Sequence, residues 1–190
     1  AFLWIDPVPP PSERELARGL KGKDWEVLAV VIKHRGEVYL AEYAENRGHD
    51  PDWTLMKFWE LVDRYSVFQF GVETTAYQRT LKWLIEKSMV ARGRYVQVYV
   101  PDKADQRKKS YRIIDGLKSI TSQGHFYVIF EEHTTFVEQY TAYPAVNNDD
   151  VIEAVTEATR VAQMSITYEG AYSRYYEDDD KTEATRGSAP

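Results

Sequence analysis

Apolar and polar positions along this chain repeat with two periods, and the switches between them mark its elements. "FLWID" (2–6) is an apolar run closed by a carboxylate and then by Pro7, the pattern of a short buried strand. Residues 9–24 are Pro-rich and then charged, which predicts a long loop. "WEVLAVVIK" (25–33) is rich in β-branched residues and "GEVYLAEYAEN" (36–46) alternates; "HRG" (34–36) between them predicts a hairpin. Pro51 opens a helical pattern, with Leu55, Phe58, Trp59 and Val62 at helical spacing and Asp50 placed as N-cap. "VFQFGVE" (67–73) predicts a strand that again ends on a carboxylate. Residues 74–93 form an amphipathic helix pattern closing on Gly93.

A strand over 95–100 follows, and then a helix over 105–120. Its Ile113, Ile114, Leu117 and Ile120 share one face, with basic residues on the other. A strand is predicted over 125–130, and helices over 134–143 and 147–164. Strands that alternate with helices after an antiparallel hairpin imply an α/β fold, a mixed central sheet with helices on both faces. Trp53, Phe58, Trp59 and Trp83 are assigned to the core. One domain is expected over residues 1–167. Residues 168–190 are polar, Gly/Tyr-rich and then acidic, and are expected to be a poorly ordered tail.

Composition narrows the function classes. The chain of 190 residues has no cysteine, which excludes disulfide scaffolds and thiolate metal sites. Its longest aliphatic run, "VLAVVI" (27–32), is too short to span a bilayer, so no membrane role is expected. The net charge of −6 argues against nonspecific nucleic-acid binding. That sum hides a basic segment: from Arg92 to Lys118, eight basic residues stand against three acidic ones, while "EDDD" (177–180) makes the tail acidic. His34, His49, His125 and His133 show no zinc spacing, and His133 is assigned to a surface or loop role.

Carboxylates recur at element ends. Asp6 ends the first strand, Glu73 ends the strand after the first long helix, and Asp149 and Asp150 open the last helix. Ligands of open sheets gather at strand ends, so three segments can deliver acids to one place. Such acids would repel one another unless a hard divalent cation joined them; Mg²⁺ takes a few carboxylates plus water. Each also has a local alternative: a turn before Pro7, a favourable charge at a helix N-terminus, and an ordinary N-cap in "NNDD".

"WIDP", "FGVETTAYQRTL" and "NNDDVIEAV" together resemble the nuclease domain of large terminase subunits, the DNA-packaging motor proteins of tailed bacteriophages. In the resemblance Asp6 matches the first acid, Glu73 the second, Tyr77 and Gln78 the helix that follows, and Asp149 and Asp150 the terminal pair. Glu153-Ala154 replaces the more usual Asp-Ala. "KKSYRI", with Lys109 and Arg112, matches the basic stretch ahead of a Gly-containing hairpin turn, here "SQGHFYV". The likeness covers about residues 1–160.

The resemblance implies a ribonuclease-H-like fold. It also implies metal-dependent endonucleolytic cleavage of concatemeric double-stranded viral DNA, without strong sequence specificity, by two Mg²⁺ or Mn²⁺ ions. Asp6 would bridge the ions, Glu73 would hold one, and Asp149 or Asp150 the other. A helix advances about 100° per residue, so the paired aspartates point differently, and Asp150 is preferred. Arg107, Lys108, Lys109 and Arg112 would contact DNA phosphates from the polar side of their helix, or Lys109 or Arg112 would stabilise charge near the scissile phosphate. The family's ATPase motor lies N-terminal to this domain. No G-x-x-x-x-G-K-[ST] phosphate loop occurs and the chain opens with Ala1, so an isolated nuclease domain cut from a larger protein is expected. Portal and small terminase subunit are the further implied partners, and the host-cell cytoplasm the implied location. Two alternatives stay open: a Holliday-junction resolvase or transposase-like nuclease of the same fold, and a catalytically silent DNA-binding or docking module.

Overall fold

The computed structural model describes residues 1–20, 24–48, 50–72, 76–99 and 108–164. Glu73, Arg107, His49 and the acidic tail lie outside them, as does the 167/168 boundary.

Strand β1 (Phe2–Asp6) sits inside a six-stranded mixed sheet of order β5-β4-β1-β2-β3-β6. It runs antiparallel to β2 (Glu26–His34) and parallel to β4 (Gln69–Val72). β2 and β3 (Glu37–Asn46) form the expected hairpin. Its two turn residues, Arg35 and Gly36, have φ of 50° and 86°, the left-handed geometry of a tight hairpin turn. β5 (Gln97–Tyr99) and β6 (Phe126–Tyr127) add parallel edges.

Strand alternation divides the core in two. Phe2, Trp4, Val27, Ala29, Val31 and Leu40 face helices α4 (Lys109–Ser122), α5 (Thr134–Ala142) and α6 (Asp150–Met164). Leu3, Ile5, Leu28, Val30 and Phe70 face α2 (Pro51–Tyr65) and α3 (Ala76–Arg92). Asp50 caps α2 as the sequence predicts, accepting the N–H groups of Asp52 and Trp53. The α6 face is lined by small side chains, including Ala154, Ala158 and Ala162, which let the helix lie close to the sheet. Gly116 lets α4 approach α6 as closely: a Cβ there would come within 2.4 Å of the Thr156 methyl group.

Three expectations need correction. The loop over 9–24 contains a short helix, α1 (Glu13–Ala17), formed because Ser12 and Glu15 make a reciprocal capping box. The strand predicted over 125–130 stops at Tyr127. The Ile129 carbonyl instead accepts the N–H groups of Glu132 and His133, and its own N–H goes to His133 Nδ1 at 3.1 Å. His133 is therefore a buried loop-closing residue rather than a surface one. Trp83 is about half exposed, with the Lys87 ammonium 4.0 Å from its ring centre, and is not core.

Candidate active site

β1 brings Asp6 to the end of the sheet at which β2 begins: Asp6 pairs with Val27. Being in phase with Phe2 and Trp4, it belongs to the face that α6 covers. The parallel neighbour β4 is described up to Val72, which pairs with Ile5. Glu73 is the next residue in sequence and lies outside the described residues.

The acidic pair at the start of α6 splits. Asp149 turns towards α4, where its Oδ1 receives the Lys109 ammonium at 2.7 Å. Asp150 turns towards the sheet, and its Oδ2 accepts the Trp25 N–H at 3.2 Å, just ahead of β2. Asp6 and Asp150 thus reach one end and one face of the sheet. Gln139 of α5 fixes this helix start by accepting the Ile152 N–H at 2.9 Å. Burial pushes the Asp150 carboxyl above the usual aspartate range, although the Trp25 N–H and Lys109 oppose the shift.

Sequence reasoning did not single out Glu45. It pairs with Val27 on the side opposite Asp6, so the two acids flank one β2 residue on the same face. Burial raises the Glu45 pKa, the Thr135 hydroxyl lowers it, and the charge of Asp150 raises it further. A polar cavity of about 240 Å³ joins Glu45 and Asp150, lined also by Trp25, Thr135, Gln139 and Asn148. No sequence signal marked Glu45: strict alternation from Val38 and Leu40 puts it on the other face, and the register shift in the hairpin brings it to theirs.

The basic residues are placed differently from the expected solvent-facing row. Lys109 and Arg112 point at α6. Lys109 bonds Asp149 and Glu153, and Arg112 bonds Glu153 at 3.0 Å and Glu157 at 3.3 Å; Arg160 closes the ladder on Glu157. Burial works against the Lys109 charge, but Asp149 and Glu153 outweigh it and hold its pKa well above the lysine range. Lys108, at the N-cap of α4, is exposed.

The donor chemistry fits a hard divalent cation. The groups at this end of the sheet are carboxylates, one of them destabilised as a bare anion by burial, and no thiolate competes. Among the described residues no group of three or more potential ligands is placed around one point.

No protein-family profile and no curated protein matches the chain. Solved structures do. The human cytomegalovirus terminase nuclease domain, Mn-soaked with an inhibitor bound, aligns over 85% of this chain and 82% of its own, with a TM-score of 0.58 and 13% identity. The nuclease domain of the phage P22 large terminase aligns over 84% and 80%, at 0.54 and 16%. This chain has the fold of viral terminase nuclease domains. The same ribonuclease-H-like sheet extends the likeness to the fowlpox virus resolvase in complex with Holliday-junction DNA, which aligns over 87% of this chain and 100% of its own, at 0.53 and 11%. Within the terminase-nuclease fold, Asp6 ends the central strand and Asp150 opens the helix laid across it.

Proposed function

We propose that the chain is a divalent-metal-dependent endodeoxyribonuclease that cuts double-stranded viral DNA during genome packaging. The observation that carries this reading is that Asp6 ends β1 and Asp150 opens α6 at the same end and on the same face of the sheet, in a terminase-nuclease fold. Glu73, which follows Val72 in sequence, is proposed as the third acid. Two Mg²⁺ or Mn²⁺ ions are the proposed cofactors. When bound, such ions lower the pKa of the attacking water and neutralise the leaving oxygen of the phosphodiester.

The chain's own residues have separable tasks. Asp6 and Asp150 hold charge of the right sign at fixed positions. Lys109 occupies Asp149, so Asp149 is a structural partner and Asp150 the ligand. Arg107 and exposed Lys108 are proposed to touch DNA phosphates without reading sequence. Lys109 and Arg112 are turned to α6, so any phosphate they approach competes with Asp149, Glu153 and Glu157. An ATPase motor, portal and small terminase subunit are the proposed assembly partners, acting in the host cytoplasm. Among the described residues no helix is long and apolar enough to cross a membrane.

The test is conversion of supercoiled plasmid with Mg²⁺ or Mn²⁺. Parent protein should nick and linearise it, and Asp6→Asn should not; an Asp6→Asn protein as active as the parent refutes the assignment. A junction-resolving activity is the second reading, favoured by the full-length alignment of the fowlpox resolvase. Cleavage of four-way junctions at least tenfold faster than linear duplex would select it.

A further inference from the structure

Beneath the same strand ends, on the opposite face of the sheet, lies a carboxylate that the proposed chemistry does not use. Glu26 is fully buried, in phase with Leu28 and Val30 against the α2 side of the core. Its Oε2 accepts the Val8 N–H at 3.2 Å, and its Oε1 accepts the hydroxyl of Thr54, which is itself fully buried in the first turns of α2. Tyr77, in the first turn of α3, lies within reach of its field. Burial first, then the charges of Glu26 and Asp50, push the Tyr77 pKa up to about 12. Glu26 therefore holds the chain that leaves β1 to the start of α2, with its charge felt at Tyr77 in the start of α3.

A carboxylate in such a place is a poor stabiliser. Well-packed hydrophobic replacements of buried ionic groups are often neutral or better. What Glu26 secures is position. Pro7 has no N–H, so the first backbone donor after Asp6 is that of Val8, and Glu26 takes it. With the Pro7 φ fixed by its ring and the Val8 N–H anchored, the backbone leaving Asp6 has little freedom. Reactions of this class are sensitive to such placement: a misplacement of ~1 Å can cost ~100-fold in rate.

We infer that Glu26 is a positioning residue that, from the far face of the sheet, fixes how Asp6 is presented to divalent cation and DNA. The inference rests on the nuclease reading above. The test compares parent, Glu26→Leu, Glu26→Gln and Asp6→Asn chains for plasmid kcat and KM, Mn²⁺-induced thermal shift, and exchange of the Val8 amide hydrogen. In Glu26→Leu, Val8 exchange should accelerate at least about tenfold. kcat should fall by about 100-fold while KM for DNA stays within about twofold, and more Mn²⁺ should be needed for the same shift. Glu26→Gln keeps an acceptor oxygen but not the charge and should fall between, with Val8 exchange faster than in the parent and kcat several-fold below it. If Glu26→Leu does not fold, Glu26→Gln decides: faster Val8 exchange with a kcat several-fold below the parent supports the inference, and parent-like values in both overturn it. A folded Glu26→Leu chain with parent-like kcat, or with unchanged Val8 exchange, overturns it alone. A parent chain that neither cuts nor responds to Mn²⁺ overturns the nuclease reading and this inference with it.

Discussion

Replacing Asp150 by Asn separates what the residue does for the fold from what it does for the site. Asn keeps the size and an oxygen for the Trp25 N–H, but removes the charge. The folded carboxyl titrates above its unfolded value, so the folded state holds its proton to higher pH. Stability therefore falls as pH rises from ~4, the ordinary aspartate value, through the folded pKa, and the penalty is complete above it. Without metal, Asp150→Asn should thus melt no lower than the parent, and up to about 2 kcal/mol more stable, the usual gain when a functional strain is relieved. Metal reverses the ranking. An ion binding only the folded parent at 100 times its Kd adds about 2.7 kcal/mol. At about 2–4 °C per kcal/mol for a chain of this size, the midpoint should rise by about 5–11 °C. Asp150→Asn should lose most of that shift. Asp149→Asn should keep it, because Asp149 is held by Lys109, while losing up to ~1 kcal/mol with the partly exposed ion pair. Differential scanning fluorimetry in EDTA and in graded Mn²⁺ reads both. The reasoning is refuted if Asp150→Asn shows the full Mn²⁺ shift, or if Asp149→Asn is the variant that loses it.

Other predictions follow from packing and charge. Arg112→Met leaves Glu153 and Glu157, both largely buried, short of a partner and should cost roughly 2–4 kcal/mol in urea unfolding, whereas Lys108→Met should stay within about 0.5 kcal/mol. Gly116→Val overfills the α4–α6 contact and should cost about 1–3 kcal/mol by the same assay. The Lys109 pKa is raised on folding, so its contribution is complete below the unfolded lysine value of ~10.4 and is lost as pH rises through the folded value. The stability difference between parent and Lys109→Met should therefore be as large at pH 10 as at pH 7. Lys108→Glu should weaken duplex binding and lower the slope of log K against log salt by about 1 or more.

The elements with a strong local period were legible in the sequence. β1 closes at Asp6 because Pro7 ends it, the hairpin turns where Arg35-Gly36 tolerate positive φ, and Asp50 caps α2. That Asp150 opens a long helix was legible from the same kind of signal, where an element begins. What stayed hidden depends on rotation and on neighbours far along the chain. The basic face of α4 reads as solvated surface until α6, with Asp149, Glu153 and Glu157 at successive turns, is laid against it. Glu26 and Glu45 are single acids within strand patterns, and only the sheet register shows what each one faces. The end of β6 was missed because His133, from the next element, takes the hydrogen bond that a longer strand would have used.

The bond from Trp25 to Asp150 joins residues 125 positions apart, and the helix that Asp150 opens is the last one described. That helix also covers Trp4, Val27 and Ala29, in the same core as side chains of α4 and α5. A nascent chain still missing α6 lacks Asp150 and most of the cover of that side of the core. A chain cut back before Asp150 is therefore expected to lose cooperative unfolding, because the sheet face carrying Trp4, Val27 and Ala29 loses the helix that covers most of it.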